Sequence, residues 1–478
     1  MPPLSSKIGA VSSEMSPRLR VLHAIHDFLP RHQAGSELYA AALGAALQRR
    51  GHHVTVLAAE YDPARPHGDL AWRAHDGLPV VEVVNNWTYP NAPIAWSAPD
   101  LMRAFEHVLE ATDPDVLHVH SLLNLSLDLP ALARRRGIPV VATLHDYTLV
   151  CPSGGQRIHK AENHICHTIE PERCARCFSE SPFFSQMAYG RVLRAPIGVR
   201  SFSLARRLAR AAPGLASRLA RTVGTGSGAA ATPAAITARL DRARTAFDAF
   251  DLVVAPSASL ATEFQQLGFP AHRVRVMDYG FAPLTAPAPG RRPSGPLRAG
   301  FIGSLVWHKG VHVLVEAIRR VPAGHVEAIV FGDLGVAPDY AAALKRAAEG
   351  WPVHFRGPFE HREVARALAE IDVLVVPSIW LENSPLVIHE AFMARVPVVG
   401  ARIGGVADLI QDGVNGVLYP PDSADALAGV LTQLATDRGR LDAMAARAPA
   451  VTSLDDHAAE WEALYLETRA PETQVSTR

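Results

Sequence analysis

Short apolar runs recur along the first part of the chain, each cut off by Pro, Asp or Gly. They fall at residues 19–25, 53–59, 80–84, 116–120 and 140–144, and each reads as a buried strand. Between some of them the apolar positions take helical spacing, as at 36–50, which Gly51 stops, and at 100–111. A second series opens at 298–302, with strand signals at 327–331, 353–356, 372–376 and 397–400. Helical stretches at 311–320, 341–349, 363–371 and 385–394 lie between them. Alternating strand and helix predicts parallel, doubly wound α/β sheets, here in two domains. Ligands of such sheets bind beyond the carboxyl ends of the strands, so two facing domains make an interdomain cleft.

The rhythm breaks in two places. Residues 151–245 hold all four cysteines and then an arginine-rich stretch; the α/β pattern resumes at 251–255. Residues 224–235 inside this stretch read as a flexible link. Residues 282–297 are rich in Pro, Gly and Ala, which is linker chemistry. The expected organisation is a loose tail at 1–17 and an N-terminal domain at 18–281 that carries an insertion at about 151–245. A linker at 282–297 leads to a C-terminal domain at 298–455. A helix at 456–478 then crosses back to the N-terminal domain and ends in a tail.

Composition narrows the function. The chain has 478 residues, 48% hydrophobic and 20% charged, which suits packed cores. Lys plus Arg and Asp plus Glu each count 47, and a net charge of zero argues against a nucleic-acid binder. That zero is uneven: residues 183–240 contain nine Arg, no Lys and no acid, so the rest of the chain is nine charges negative. Phe202, Leu204, Leu208, Leu215 and Leu219 lie among those arginines. This fits an amphipathic helix on anionic lipid, and a solvated insertion fits equally well; Pro213-Gly214 interrupts any single helix. The first residues do not read as a signal peptide, and no run of about 18 apolar residues suggests a membrane span. The expected location is cytoplasmic, with peripheral attachment to the inner membrane face as an option.

Two strand-to-helix loops carry the chemistry. In Trp380-Leu-Glu-Asn-Ser-Pro-Leu-Val-Ile-His-Glu390, Glu382 sits in the loop and Glu390 inside the helix. The backbone N–H groups of Ser384, Leu386 and Val387 mark a helix N-terminus, a natural anion site. In Gly303-Ser-Leu-Val-Trp-His-Lys309-Gly310, Gly303 permits close backbone approach and Lys309 offers a point charge to a phosphate. A solvated loop acid, surface helix acid and loop lysine are the plain alternatives.

These segments, with Ala391-Phe-Met-Ala-Arg-Val-Pro-Val-Val399 and Gly404-Gly405, resemble family 4 of the retaining glycosyltransferases. The resemblance implies the GT-B fold, two Rossmann-like domains around a cleft. It implies a nucleotide-diphosphate sugar as donor and a glycan or lipid-linked acceptor, in surface polysaccharide or glycolipid synthesis. By the resemblance Glu382 holds hydroxyls of the donor sugar, Glu390 holds the ribose hydroxyls and Lys309 neutralises the diphosphate. Asn383, Ser384, Leu386 and Val387 belong to the same donor-binding loop. Ser304 stands where the family has arginine, which removes one phosphate contact. Gly35, in Gln33-Ala-Gly35-Ser-Glu37, matches the family's glycine loop; Ser36 could equally cap a helix. His145, in Thr143-Leu-His-Asp-Tyr147, matches the catalytic-loop histidine. His120, at the end of another strand, is either a satisfied histidine or an acceptor contact. The resemblance suggests front-face attack by the acceptor hydroxyl, with a donor phosphate oxygen taking its proton. No Asp-x-Asp metal motif is evident, so a catalytic divalent metal is not expected. A nucleotide-sugar epimerase or phosphorylase on this fold and a non-catalytic sugar-nucleotide-binding scaffold are the other readings.

The cysteines form Cys151-x14-Cys166-x7-Cys174-x2-Cys177. Four thiolates suit tetrahedral Zn²⁺, and such a site would staple a loop too polar to fold on its own core. His159, His164 or His167 could replace a thiolate. Free thiols, a disulfide and an iron–sulfur cluster remain open.

Overall fold

The computed structural model describes residues 17–194, 231–284 and 294–469. The middle of the arginine-rich stretch, most of the linker and both tails lie outside the described residues.

The N-terminal sheet comprises β1 (Arg20–Ile25), β2 (His53–Glu60), β3 (Leu70–His75), β4 (Leu78–Val84), β5 (Val116–Val119), β6 (Val140–Thr143), β9 (Leu252–Ala255) and β10 (Val274–Val276). A two-stranded pair, β7 (Ile158–His159) and β8 (His164–Ile165), lies outside it. The C-terminal sheet comprises β11 (Leu297–Ile302), β12 (Val326–Phe331), β13 (Val353–Gly357), β14 (Val373–Val376), β15 (Val398–Ala401) and β16 (Gly416–Tyr419). The strand orders are β10-β9-β6-β5-β1-β2-β4-β3 and β13-β12-β11-β14-β15-β16. Every ladder in them is parallel except β3–β4. These are two doubly wound, Rossmann-like sheets.

Helices cover both faces of each sheet, so the strands are apolar on both sides and read as continuous runs. In the N-terminal domain Leu22, Leu57, Val81 and Leu117 enter one core, and Val21, Val56, Val80 and Val116 enter the other. In the C-terminal domain Val373 and Val375 face one core and Leu374 and Val376 the other. The helix Pro233–Asp248 takes up residues 233–235, expected as flexible link. Thr232 caps it through the Ala235 N–H, and Ile236, Ala243 and Phe247 bury into the N-terminal core.

The chain crosses between domains twice, and the crossings touch. Phe281 donates its N–H to Thr452 O at 3.0 Å, and its carbonyl accepts from Leu454 at 2.8 Å. A Cβ on Gly280 would stand 2.3 Å from His457 Cβ, so only glycine lets the strands pass. The last helix, Leu454–Arg469, then packs on Gly35–Arg49 of the N-terminal domain. Tyr39 Oη accepts from Trp461 Nε1 at 2.9 Å and stands 2.7 Å from His457 Nε2. Tyr465 Oη lies 2.7 Å from His118 Nδ1, which ties the helix to β5.

Candidate active site

A cleft of about 920 Å³ lies between the domains, at the carboxyl ends of β1, β6, β11 and β14. Its walls include Gly35, His145, Gly303, Ser304, Lys309, Glu382, Asn383, Ser384, Leu386, Val387 and Glu390. Residues from four separate loops therefore share one space.

The loop after β14 supplies the densest chemistry. Glu382 is 5% exposed and accepts from Lys309 Nζ at 2.7 and 3.0 Å and from Ser378 Oγ at 2.5 Å. Lys309 Nζ also lies 5.7 Å from the centre of the Trp380 ring, a cation–π distance. Two glycine contacts shape this corner. Gly310 has φ +71°, and a Cβ there would meet Pro377 O at 1.8 Å. A Cβ on Gly405 would meet Asn383 O at 1.9 Å, while its N–H binds Glu382 O at 2.7 Å. The helix Leu386–Met393 starts at the cleft, with Pro385 just before it; its first N–H groups have no partner within the helix.

Glu390 is four-hundredths exposed, with His361 Nε2 at 3.3 Å. Burial pushes its carboxyl up to about 7. Ser304 is exposed at the cleft, and Gly303 precedes it at the end of β11.

The N-terminal wall reaches across to this loop. Asn383 Nδ2 donates to His145 O, and Leu386 Cδ1 lies 3.4 Å from where a Gly35 Cβ would stand. Both ring nitrogens of His145 meet protein partners: Nδ1 is 2.8 Å from Tyr279 Oη, and Nε2 is 3.1 Å from His120 Nδ1. Burial, with a smaller push from His26, drives its imidazole down to about 3, so the ring is neutral at ordinary pH. It can orient neighbours and donate or accept a hydrogen bond, but it carries no charge to a leaving group.

Sequence patterns missed Tyr279, Asp278, Ser378 and Gln156. Asp278 Oδ1 accepts from Ser384 Oγ at 2.8 Å, and Asp278 Oδ2 lies 3.4 Å from His389 Nε2, which fixes the start of the helix Leu386–Met393. Their one sequence signal was position: Asp278 and Tyr279 follow closely on β10, on the carboxyl side.

Contrary to that expectation, Asp113-Pro-Asp115 has Asp-x-Asp spacing. It lies at the amino end of β5, opposite the cleft, where both acids pair with Arg20. Among the described residues two other groups have metal-like geometry. His23, His118 and His120 form a buried cluster, though both nitrogens of His118 already meet Tyr465 and Thr143. His26, Asp27 and Glu37 lie beside the Gly35 loop. The four cysteines line a separate small void, which shares Ile158 with the lining of the cleft.

Known proteins carry the same two units. Residues 34–188 match Glycosyltransferase Family 4, and residues 296–437 match Glycosyl transferases group 1. A putative colanic acid biosynthesis glycosyltransferase, WcaL of Escherichia coli, is 29% identical over 200 residues, 39% of this chain and 49% of that one. The amylovoran biosynthesis glycosyltransferase AmsK of Erwinia amylovora is 31% identical over 209 residues, 40% and 50% of the two chains. The chain thus spans about half the length of the curated relatives it matches. Anabaena HepE in complex with UDP and glucose superposes with TM-score 0.58 at 18% identity, covering 94% of this chain and 100% of that one. Sucrose-phosphate synthase from Thermosynechococcus elongatus superposes with TM-score 0.64 at 15% identity, covering 94% and 98%. Two matched halves, in the order and packing of GT-B proteins and with the acidic loop and lysine loop facing one cleft, make this chain a member of glycosyltransferase family 4.

Proposed function

We propose that the protein is a retaining glycosyltransferase. It moves a hexosyl group from a nucleotide-diphosphate sugar to a hydroxyl of a glycan or lipid-linked acceptor, in synthesis of surface polysaccharide or glycolipid. The observation that carries this reading is the Lys309–Glu382 pair set beside a helix N-terminus in the interdomain cleft. Breaking the anomeric bond puts negative charge on the leaving diphosphate. Lys309 and the N–H groups at the start of Leu386–Met393 lie where they can stabilise it. Glu382 shares its oxygens with Lys309 and Ser378, which suits it to hold sugar hydroxyls rather than to attack carbon. Glu390, further along the same helix and in the cleft lining, takes the ribose hydroxyls.

The polysaccharide assignment draws on WcaL and AmsK, named for colanic acid and amylovoran biosynthesis. The donor class draws on HepE, solved with UDP and with UDP-glucose. No helix among the described residues is long and apolar enough to cross a membrane. Contact with an anionic membrane surface rests on the arginines of residues 183–240, most of which lie outside the described residues. The test is product stereochemistry: proton NMR of the transferred sugar should show the donor's anomeric configuration. An inverted product would overturn the retaining assignment.

A further inference from the structure

The four cysteines come from separate stretches of chain. Cys151 follows β6 through an irregular run, Cys166 follows β8, and Cys174 and Cys177 lie on the helix Pro171–Ser179. Three residues apart, that last pair shares a helix face. All four are half-buried free thiols, and all four line one void of about 30 Å³, room for a single small occupant. No histidine and no acid lines it among the described residues. His159 is instead engaged by Glu180 at 2.7 Å.

A second observation concerns charge. Arg239 is buried, and its guanidinium donates to Leu149 O at 3.0 Å and to Thr148 O. Its Nε has no partner, and no carboxylate of the described residues pairs with it. The groups whose charge would act on it are Cys151, Cys174 and the carboxylate of Asp146, which makes no ion pair with it. Arg157, with its side chain 3% exposed, also lines the void, though it shares its charge with Glu263 at 2.6 Å. A buried cation without a counter-ion is costly. With neutral thiols Arg239 has only the unpaired carboxylate of Asp146 acting on its charge, whereas four thiolates around a divalent ion add two net negative charges.

We propose that Cys151, Cys166, Cys174 and Cys177 bind one structural zinc ion, whose net negative charge is balanced by Arg239 and Arg157. Binding breaks four S–H bonds, forms four Zn–S bonds and releases four protons. The described groups whose ligand atoms lie within 4.8 Å of one another include no cysteine, so the ion has to draw the sulfurs inward from the walls of the void.

The ion would hold more than its own loop. The excursion from 151 to 166 contains the two-residue pair β7–β8 and one 3-10 turn, Lys160–Glu162, too little regular structure to stand alone. Yet its Gly155 carbonyl accepts from Tyr147 at 2.8 Å, and its Gln156 carbonyl accepts Trp380 Nε1 at 2.5 Å, across the domain boundary. The zinc therefore fixes a wall of the cleft from behind.

The test uses the full chain, purified without chelator or histidine tag. Elemental analysis should find about one zinc per chain, with the four thiols unreactive until a mercurial displaces the ion. Cobalt substitution should give the intense thiolate-to-metal absorption of a tetrathiolate site. Cys174→Ser should lower zinc content at least tenfold; if that variant does not fold, the cobalt spectrum of the native chain decides. Folded, metal-free protein with four titratable thiols would overturn the proposal, as would a disulfide or bound iron in place of zinc.

Discussion

Lys309 Nζ stands 2.7 and 3.0 Å from the two carboxylate oxygens of Glu382, 73 residues further along the chain. The Lys309 side chain is 29% exposed and that of Glu382 only 6%. The two partners are thus unequal. The lysine can turn to a phosphate or to water, and the carboxylate cannot leave. A donor diphosphate would meet an ammonium already held in place, with Glu382 kept beside it for the sugar.

That inequality sets opposite costs for two variants. Lys309→Ala strands a buried carboxylate, at the low end of the roughly 3–5 kcal/mol lost when a buried pair loses one partner. Glu382→Gln leaves a lysine that reaches water, and should cost less than about 1 kcal/mol. Both should lower turnover by about 10²–10³-fold, the usual loss for one group that stabilises developing charge. Denaturant melts and initial rates on the two variants check this; equal destabilisation would mean that the pair is not asymmetric.

Buried histidines should make the fold sensitive to acid. Burial is the largest cause in each case: it holds His23 and His457 down to about 4 and His145 and His308 down to about 3, from 6.5. The unfolded chain therefore takes up these protons first as the pH falls. Stability is complete above 6.5 and is lost progressively below it, by about 1.4 kcal/mol per pH unit per histidine. Glu390 acts the other way between about 7 and 4.5, because its folded form binds the proton more tightly. His118, His120, His312 and His361 are lowered in the same direction, and these eight histidines outnumber Glu390 and the raised carboxyls of Asp27, Glu60 and Asp146, so Tm should fall between pH 7.5 and 5.5. Scanning fluorimetry across that range checks it, and a flat or rising Tm would contradict it.

If Glu390 holds the ribose hydroxyls as proposed, donor binding should have its own pH dependence. A carboxylate accepting ribose hydroxyls works only when ionised, and burial raises this one to about 7. Nucleotide-sugar affinity should therefore be several-fold weaker at pH 6 than at pH 8, since the diphosphate diester does not itself titrate there. Glu390→Gln should bind weakly at both, with the pH dependence gone. Isothermal titration at the two pH values separates the outcomes.

Much of this could be read from the chain, and the misses have physical causes. Strands such as β9 and β14 are covered on both faces, so their sequences are unbroken apolar runs. β3 escaped notice because it is an antiparallel edge strand with Trp72 and Ala74 exposed, and its pattern is diluted by Arg73 and His75. β16 is four residues long and begins with glycine. In the cleft, Glu382 and Lys309 stood out because they sit in strand-to-helix loops, and Glu390 because it follows in the helix that one of those loops enters. The contacts among loops did not stand out. Nothing local links His145 to Tyr279, 134 residues away, or Ser384 to Asp278, and those partners come from a segment without periodicity. The neutrality of His145 follows from burial by both domains, which only the assembled fold shows.

The most direct test of the catalytic reading is release of nucleoside diphosphate from a panel of nucleotide sugars, with and without candidate glycan acceptors, by the native protein and by Glu382→Gln. One donor class should be turned over, faster with acceptor than without, and Glu382→Gln should release it at least a hundredfold more slowly while melting at nearly the native temperature. Turnover unchanged in Glu382→Gln, or no turnover of any nucleotide sugar, would contradict the assignment of this cleft to glycosyl transfer.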